Sequence, residues 1–274
     1  MIVDHKTVRL SSLTLSNDSA EGKMVYAAMA RHAEGDGLAS RSTERLLSMI
    51  DDLDEVLGGL GFCLSEERDQ LGQWRGYADD GAGVAIGFSR SYLEELKKYY
   101  SPPKVKTFRL EKVEYDPDEH DRHVESTYRE LRKLIDEGAF GTTGVRGLLD
   151  SRTAEEIEQD RERTASLLRK AILATLPLYA KLYVLKSPAF REESEWRLVS
   201  YHAVKQGGDE IEFRPAGGRI IPFISIELID LDMPVIHEVI LGPKHDTPVK
   251  IIEDLLDRAG FPDVRVERSA SSYR

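Results

Sequence analysis

The chain has 274 residues, 41% hydrophobic and 32% charged, with 49 acidic residues against 38 basic ones for a net charge of −11. That is enough chain for one or two hydrophobic cores in an ordinary folded protein, and its negative balance disfavours a broad electrostatic grip on nucleic acid. No apolar run approaches the roughly 20 residues that span a bilayer, the opening residues carry no signal-peptide core, and a lone cysteine, Cys63, excludes a disulfide framework and a multi-cysteine zinc site.

These features favour a cytoplasmic protein that meets a small molecule or another protein. In chain order, Val8–Leu15 reads as a strand, and Asn17-Asp18 as a turn or the cap of a helix reaching about His32. Apolar residues from Ser42 to Leu57 follow helical spacing, with Gly58-Gly59 as the stop. Gly61–Ser65 reads as a buried strand, Leu71, Trp74 and Tyr77 as a short helix, and Asp79-Asp80-Gly81 as a turn. Val84–Phe88 is a second apolar strand, Ser89 caps a helix through Tyr100, Pro102-Pro103 breaks it, and Phe108–Tyr115 is another strand.

Residues 118–176 then read as helical. Val124, Tyr128, Leu131 and Ile135 make one apolar face closed by Gly138, a glycine-bearing loop runs to Gly147, and a charged helix spans Thr153 to Thr175, stopped by Pro177. The remaining chain reads mostly as strands: Tyr179–Leu185, Glu195–Val204, Ile211–Arg214, Ile220–Leu228 and Val235–Leu241. Gly207-Gly208-Asp209 is a hairpin signal, Pro248–Ala259 a closing helix and Val264–Glu267 a last strand. Strands in runs, with helices grouped elsewhere, predict an α+β fold: a largely antiparallel mixed sheet with flanking helices. Residues 1–274 are expected to form a single domain with 118–176 as a helical insertion, because the apolar strands Gly61–Ser65 and Val84–Phe88 need partners from the far end of the chain.

Three constellations could carry chemistry. Glu193 and Glu195 stand two apart at the entry to an apolar strand, so on an extended chain they face one side and could divide the work of charge stabilisation and proton handling. Alternatively this is the charged mouth of an edge strand, with Glu195 and Arg197 forming an ion pair. Strand alternation further predicts a buried Trp196 and a Glu195 that faces a cleft. Gln73, Trp74, Arg75 and Tyr77 offer a stacking face and fixed hydrogen bonds to a planar ligand, or else an aromatic core stripe with a surface arginine. Gly81-Ala82-Gly83 resembles a phosphate loop only superficially, because Ile86 occupies the third glycine position and the segment precedes a strand. His120 and His123 read as a solvated helix start rather than a metal site, and Cys63 as an inert core thiol.

Taken together, several motifs resemble one bacterial family, the domain of unknown function 2971. They are Arg9-Leu10-Ser11-Ser12 with Asn17-Asp18 and Glu21; Phe62-Cys63-Leu64-Ser65-Glu66; Gln73-Trp74-Arg75-x-Tyr77-Ala78-Asp79 with Gly81, Gly83 and Ile86-Gly87-Phe88; Lys186, Phe190, Glu193 and Glu195-Trp196-Arg197; Leu241-Gly242-Pro243; and Ser269 with Tyr273-Arg274. Members of that family usually begin with a further strand and helix, whereas eight residues precede Arg9 here; either the start is truncated, or a reading that needs a ligand-holding residue in that part fails.

A more distant likeness is to ADP-ribosyltransferases, which hold NAD with a polar residue on an early strand, place small polar residues on a middle strand, and set a carboxylate at the start of a later one. This likeness implies NAD as substrate and no metal. It makes Glu195 the catalytic carboxylate with Glu193 as helper, and Arg9, Trp74, Arg75 and Tyr77 ligand contacts. It implies an enzyme, a transferase or NAD glycohydrolase, acting as a toxin or phage-defence effector on a protein or nucleic-acid target. The alternative is a non-catalytic ligand- or protein-binding module. A Glu195 in a pocket shared with Trp74, Arg75 or Tyr77 favours the enzyme; a Glu195 paired with Arg197 on an open face favours the module.

Overall fold

Short apolar segments become strands, and strands from both halves of the chain pair with one another. The computed structural model describes residues 2–16, 22–53, 57–102, 106–141, 152–203 and 210–273. After one helical turn at Ile2–His5, the elements are β1 (Thr7–Ser12), α1 (Met24–Gly35), α2 (Ser40–Asp51), β2 (Leu57–Ser65), α3 (Leu71–Tyr77), β3 (Val84–Phe88), α4 (Arg90–Tyr99), β4 (Arg109–Lys112) and α5 (Pro117–Asp136). They continue with α6 (Ala154–Ala174), α7 (Leu176–Leu182), β5 (Glu195–Ala203), β6 (Glu212–Ala216), β7 (Arg219–Glu227), β8 (Ile236–Leu241), α8 (Val249–Arg258) and β9 (Arg265–Arg268). The Asn17-Asp18 cap, Glu21, Pro103, the end of the loop to Gly147, the Gly207-Gly208-Asp209 turn and Arg274 lie outside the described residues.

The fold is α+β. A six-stranded antiparallel sheet runs β4-β5-β2-β1-β7-β6, and a three-stranded sheet runs β3-β8-β9 with β8 and β9 parallel. β1 pairs with β7 from the far end of the chain. β4 and β5 are hydrogen-bonded neighbours, Arg109 opposite Val199, so the helices α5–α7 leave the sheet at one strand and return at the next. That geometry suits an inserted helical segment.

Strand alternation divides the large sheet. One face packs Leu13, Tyr183 and Val199 against α1, α2, α5, α6 and α7. The other packs Leu10, Leu60, Leu198 and Ile226 against α4. Those four side chains are fully buried, which stabilises the fold by at most about 1.5–3 kcal/mol each. Caps fix the helix starts: Ser89 Oγ accepts from Tyr92 N at 3.2 Å, and Thr153 with Glu156 forms a capping box.

Two expectations are corrected. The helix from Ser40 ends at Asp51, and Gly58-Gly59 lie inside β2 instead of stopping it. A Cβ on Gly58 would stand 2.5 Å from the His202 ring, and one on Gly59 would overlap the Tyr183 ring. Glycine is there for close approach across the sheet, not for a turn. The stretch Tyr179–Leu185 is mostly helix, not strand. Pro177 sits in the first turn of α7, a position where its missing N–H costs nothing, and Leu178 and Leu182 are buried one turn apart.

Candidate functional site

The two carboxylates at the head of β5 converge, but not by strand alternation. Glu193 ends a 3-10 turn, Pro188–Glu193, and Ser194 adopts a left-handed conformation at φ 43° before Glu195 opens the strand. A left-handed non-glycine residue costs on the order of 1–2 kcal/mol. Neighbouring bonds hold it: Ser194 O accepts from Glu66 N at 2.9 Å, and Ser65 Oγ donates to Glu193 O at 2.8 Å. The bend turns both side chains onto Lys186, whose ammonium donates to Glu193 Oε2 at 2.5 Å and to Glu195 Oε2 at 2.9 Å.

Arg197 completes a quartet. It donates from Nε to Glu195 Oε1 at 2.7 Å and from Nη2 to Oε2 at 2.9 Å, and from Nη1 to Tyr183 O at 2.9 Å. The Glu195 backbone N–H donates to Tyr115 Oη at 3.0 Å. Glu195, Arg197 and Lys186 are 4%, 2% and 6% exposed, so the ion pair is buried and not on an open face. Burial alone would raise the Glu195 pKa, but the Arg197 bonds and the charges of Arg197 and Lys186 outweigh it and hold the carboxyl below its ordinary range. Burial would lower Lys186, and the two glutamates reverse that and raise it. Two carboxylates and two cations leave the group electrically neutral.

This quartet lines a chamber of 350 Å³ with Tyr77, Phe190 and Cys63. A larger chamber of 690 Å³ adjoins it between the two sheets, walled by β2, β3, β8, α3 and Trp196. Cys63, Leu64, Ser65, Gln73 and Tyr77 border both. Tyr77 is 62% exposed as a residue, and its hydroxyl end donates to Glu193 Oε1 at 3.0 Å. Desolvation of that end, with the Glu193 charge, pushes its pKa up to about 12.

The sequence-derived candidates are thus partly assembled. Glu193, Glu195 and Tyr77 meet in the smaller chamber. Trp74 lines the larger one but is 2% exposed, its indole N–H donating to Asp69 Oδ1 at 2.6 Å. Arg75 stacks over Tyr273 at 5.8 Å, and Arg9 over Phe223 at 4.6 Å; neither lines a chamber. The motif residues Ser269 and Tyr273 tie the end of the chain to the segments flanking α3: Asp69 accepts from Ser269 Oγ at 2.5 Å and Ala270 N at 2.7 Å, and Asp80 from Tyr273 Oη at 2.6 Å.

Three further expectations change. Trp196 is half-buried instead of buried, because the face of β5 that carries it opens on the larger chamber; Glu195, on the helix-covered face, is buried but does line the smaller chamber. Cys63 is exposed, not a core thiol, and its thiol donates to Glu195. His120 is 2% exposed and contacts Glu114 O at 2.9 Å through Nε2, so it is no solvated helix start. Lys186 and Cys63 are the site residues that the sequence reading did not single out for chemistry. The sequence signals for Lys186 are its place among the family motif residues and its position at the end of the apolar run Leu182–Leu185.

Fold and site together define an α+β protein with a two-chambered cleft at the meeting of two sheets and a buried ionic quartet in the smaller chamber. Residues 73–198, just under half of the chain, match the model of a family described as protein of unknown function (DUF2971). The matched stretch contains Trp74, Tyr77, Lys186 and the Glu193–Arg197 segment, and it supports that resemblance. No curated protein and no solved structure matches the chain, and the comparisons lend no support to the ADP-ribosyltransferase likeness. Among the described residues no helix is long and apolar enough to cross a membrane.

Proposed function

We propose that the smaller chamber is the reaction site of an NAD-handling enzyme, an ADP-ribosyltransferase or NAD glycohydrolase, with Glu193 and Glu195 as its carboxylates. The observation that carries this reading is the convergence of both carboxylates on the wall of a chamber bordered by Tyr77. In the proposed reaction the bond between ribose C1′ and the nicotinamide nitrogen breaks, and its electron pair leaves with nicotinamide. Positive charge develops on the ribose, where a fixed carboxylate stabilises it. Water or an acceptor hydroxyl then bonds C1′ through oxygen and releases its proton.

The two glutamates divide the task. Glu195, bound by Lys186 and Arg197, holds the lysine that positions Glu193, and Glu193 is the more accessible, with 15% of its side chain exposed against 6%. The strand order also suits the reading. β1, β2 and β5 are adjacent, and their register puts Arg9, Ser65 and Glu195 on one face. A toxin or phage-defence role, with a protein or nucleic-acid acceptor, is the finer form of this proposal.

A second reading, a non-catalytic ligand-binding module, is favoured by the full neutralisation of Glu195 by Arg197 and Lys186. Incubating the protein with NAD and following nicotinamide release separates the two. Release that falls on the order of a hundredfold or more in Glu193→Gln, with a thermal midpoint lowered by no more than about 4 °C, supports the enzyme. No release above the solvent rate supports the module.

A further inference from the structure

The larger chamber has a chemistry of its own, on the opposite face of the sheet from Glu195. Where β2 and β5 border this chamber, that face carries Phe62, Leu64, Trp196 and Leu198 and is apolar. Leu60 and Leu198 are fully covered under α4, but beyond them Phe62, Leu64 and Trp196 stay half-buried and wall the 690 Å³ space. Phe88 of β3 faces Phe62 edge-on, ring centroids 5.8 Å apart. An uncovered apolar and aromatic wall inside a cleft of this volume fits a small ligand, and flat rings suit such a wall best.

The rim charges add a second requirement. Arg68 is committed to Glu238 at 2.6 Å and to Glu267. Glu66 is held by Lys112 at 2.8 Å and by the Trp196 indole N–H at 2.7 Å. The other rim glutamate, Glu67, is exposed to solvent. Arg90 makes no ion pair among the described residues; its guanidinium lies over the Trp196 ring at 4.5 Å. A guanidinium stacked on an indole keeps its N–H edge free to grip a phosphate or carboxylate through two parallel bonds.

We propose that the larger chamber binds a planar aromatic ring carrying a phosphate or carboxylate, the ring against Phe62, Leu64 and Trp196 and the anion on Arg90. The site adjoins the smaller chamber and shares Leu64 with it, but it does not depend on the reaction proposed there.

Calorimetric titration of the full chain with AMP, adenosine, benzoate and inorganic phosphate tests it. AMP or benzoate is expected to bind, and adenosine at least about tenfold more weakly than AMP, since charge-assisted hydrogen bonds are the strong ones. Arg90→Ala, an exposed position, should weaken the anionic ligand about tenfold or more and leave adenosine unchanged. Trp196→Leu should weaken both AMP and adenosine. Binding of AMP alone assigns the ligand to nucleotides, and binding of benzoate alone to aromatic acids. The proposal is overturned if neither ligand gives heat at millimolar concentration, if Arg90→Ala binds like wild type, or if inorganic phosphate binds as well as AMP.

Discussion

Glu195→Gln separates the structural role of this residue from a catalytic one. The substitution keeps the shape and removes the charge at a position 4% exposed, facing Arg197 at 2% and Lys186 at 6%. The Gln carbonyl can accept one of the two Arg197 bonds, but its NH₂ is a donor set against the donors of Arg197 or Lys186. A buried pair broken from one side costs about 3–5 kcal/mol, because the remaining charge is left uncompensated. Taking about 3 kcal/mol for a protein of this size, the thermal midpoint should fall on the order of 10 °C. Glu193→Gln provides the contrast. It loses the 2.5 Å bond to Lys186, which Glu195 still holds at 2.9 Å; its cost should be about 1 kcal/mol. Thermal melting of the two variants beside wild type is the assay. A Glu195→Gln protein that melts within about 2 °C of wild type would refute the reasoning that the quartet is a structural ion cluster.

The same cluster sets a pH dependence. Glu195 is held below its ordinary value of 4.5, so its contribution is present above about that pH and is lost as pH falls through the folded value. Lys186 is held above its ordinary 10.5, so its contribution is present below about that pH and is lost as pH rises through the folded value. Melting midpoints across pH should therefore fall less steeply in acid for Glu195→Gln than for wild type, and equal slopes would contradict the assignment. Gly59→Ala should cost about 1–3 kcal/mol in urea unfolding, because the added Cβ overlaps the buried Tyr183 ring; an unchanged midpoint would argue against that packing. Cys63, the single cysteine and an exposed one, should take up one iodoacetamide adduct in the native protein, and labelling only after denaturation would contradict its exposure.

Local rules made much of the fold legible. Ser89 caps α4 through Tyr92 N, as its place before an amphipathic run suggests. Trp74 and Tyr77 share a short helix, and the strands from Glu195 onward fall near their expected positions. What could not be read depends on distant partners. Gly58 and Gly59 look like a helix stop until His202 and Tyr183 are placed across the sheet. Pro177 looks like a terminator because a proline at the first turn of a helix carries the same local signal. At the site, the pairing of Glu195 with Arg197 follows from their spacing on one strand face. The convergence of Glu193 depends on the left-handed Ser194, where no glycine signals the bend. Lys186 joins only because the Glu114–Leu185 bridge delivers it beneath both carboxylates.

The central claim is that the smaller chamber handles NAD through its carboxylates, and nicotinamide release tests it most directly. Purified wild type, Glu193→Gln and Glu195→Gln are incubated with NAD at a temperature where all three are folded. The account predicts release by wild type and a loss on the order of a hundredfold in Glu193→Gln at a thermal midpoint within about 4 °C of wild type. Equal release by wild type and Glu193→Gln, or none by wild type above the solvent rate, would contradict it.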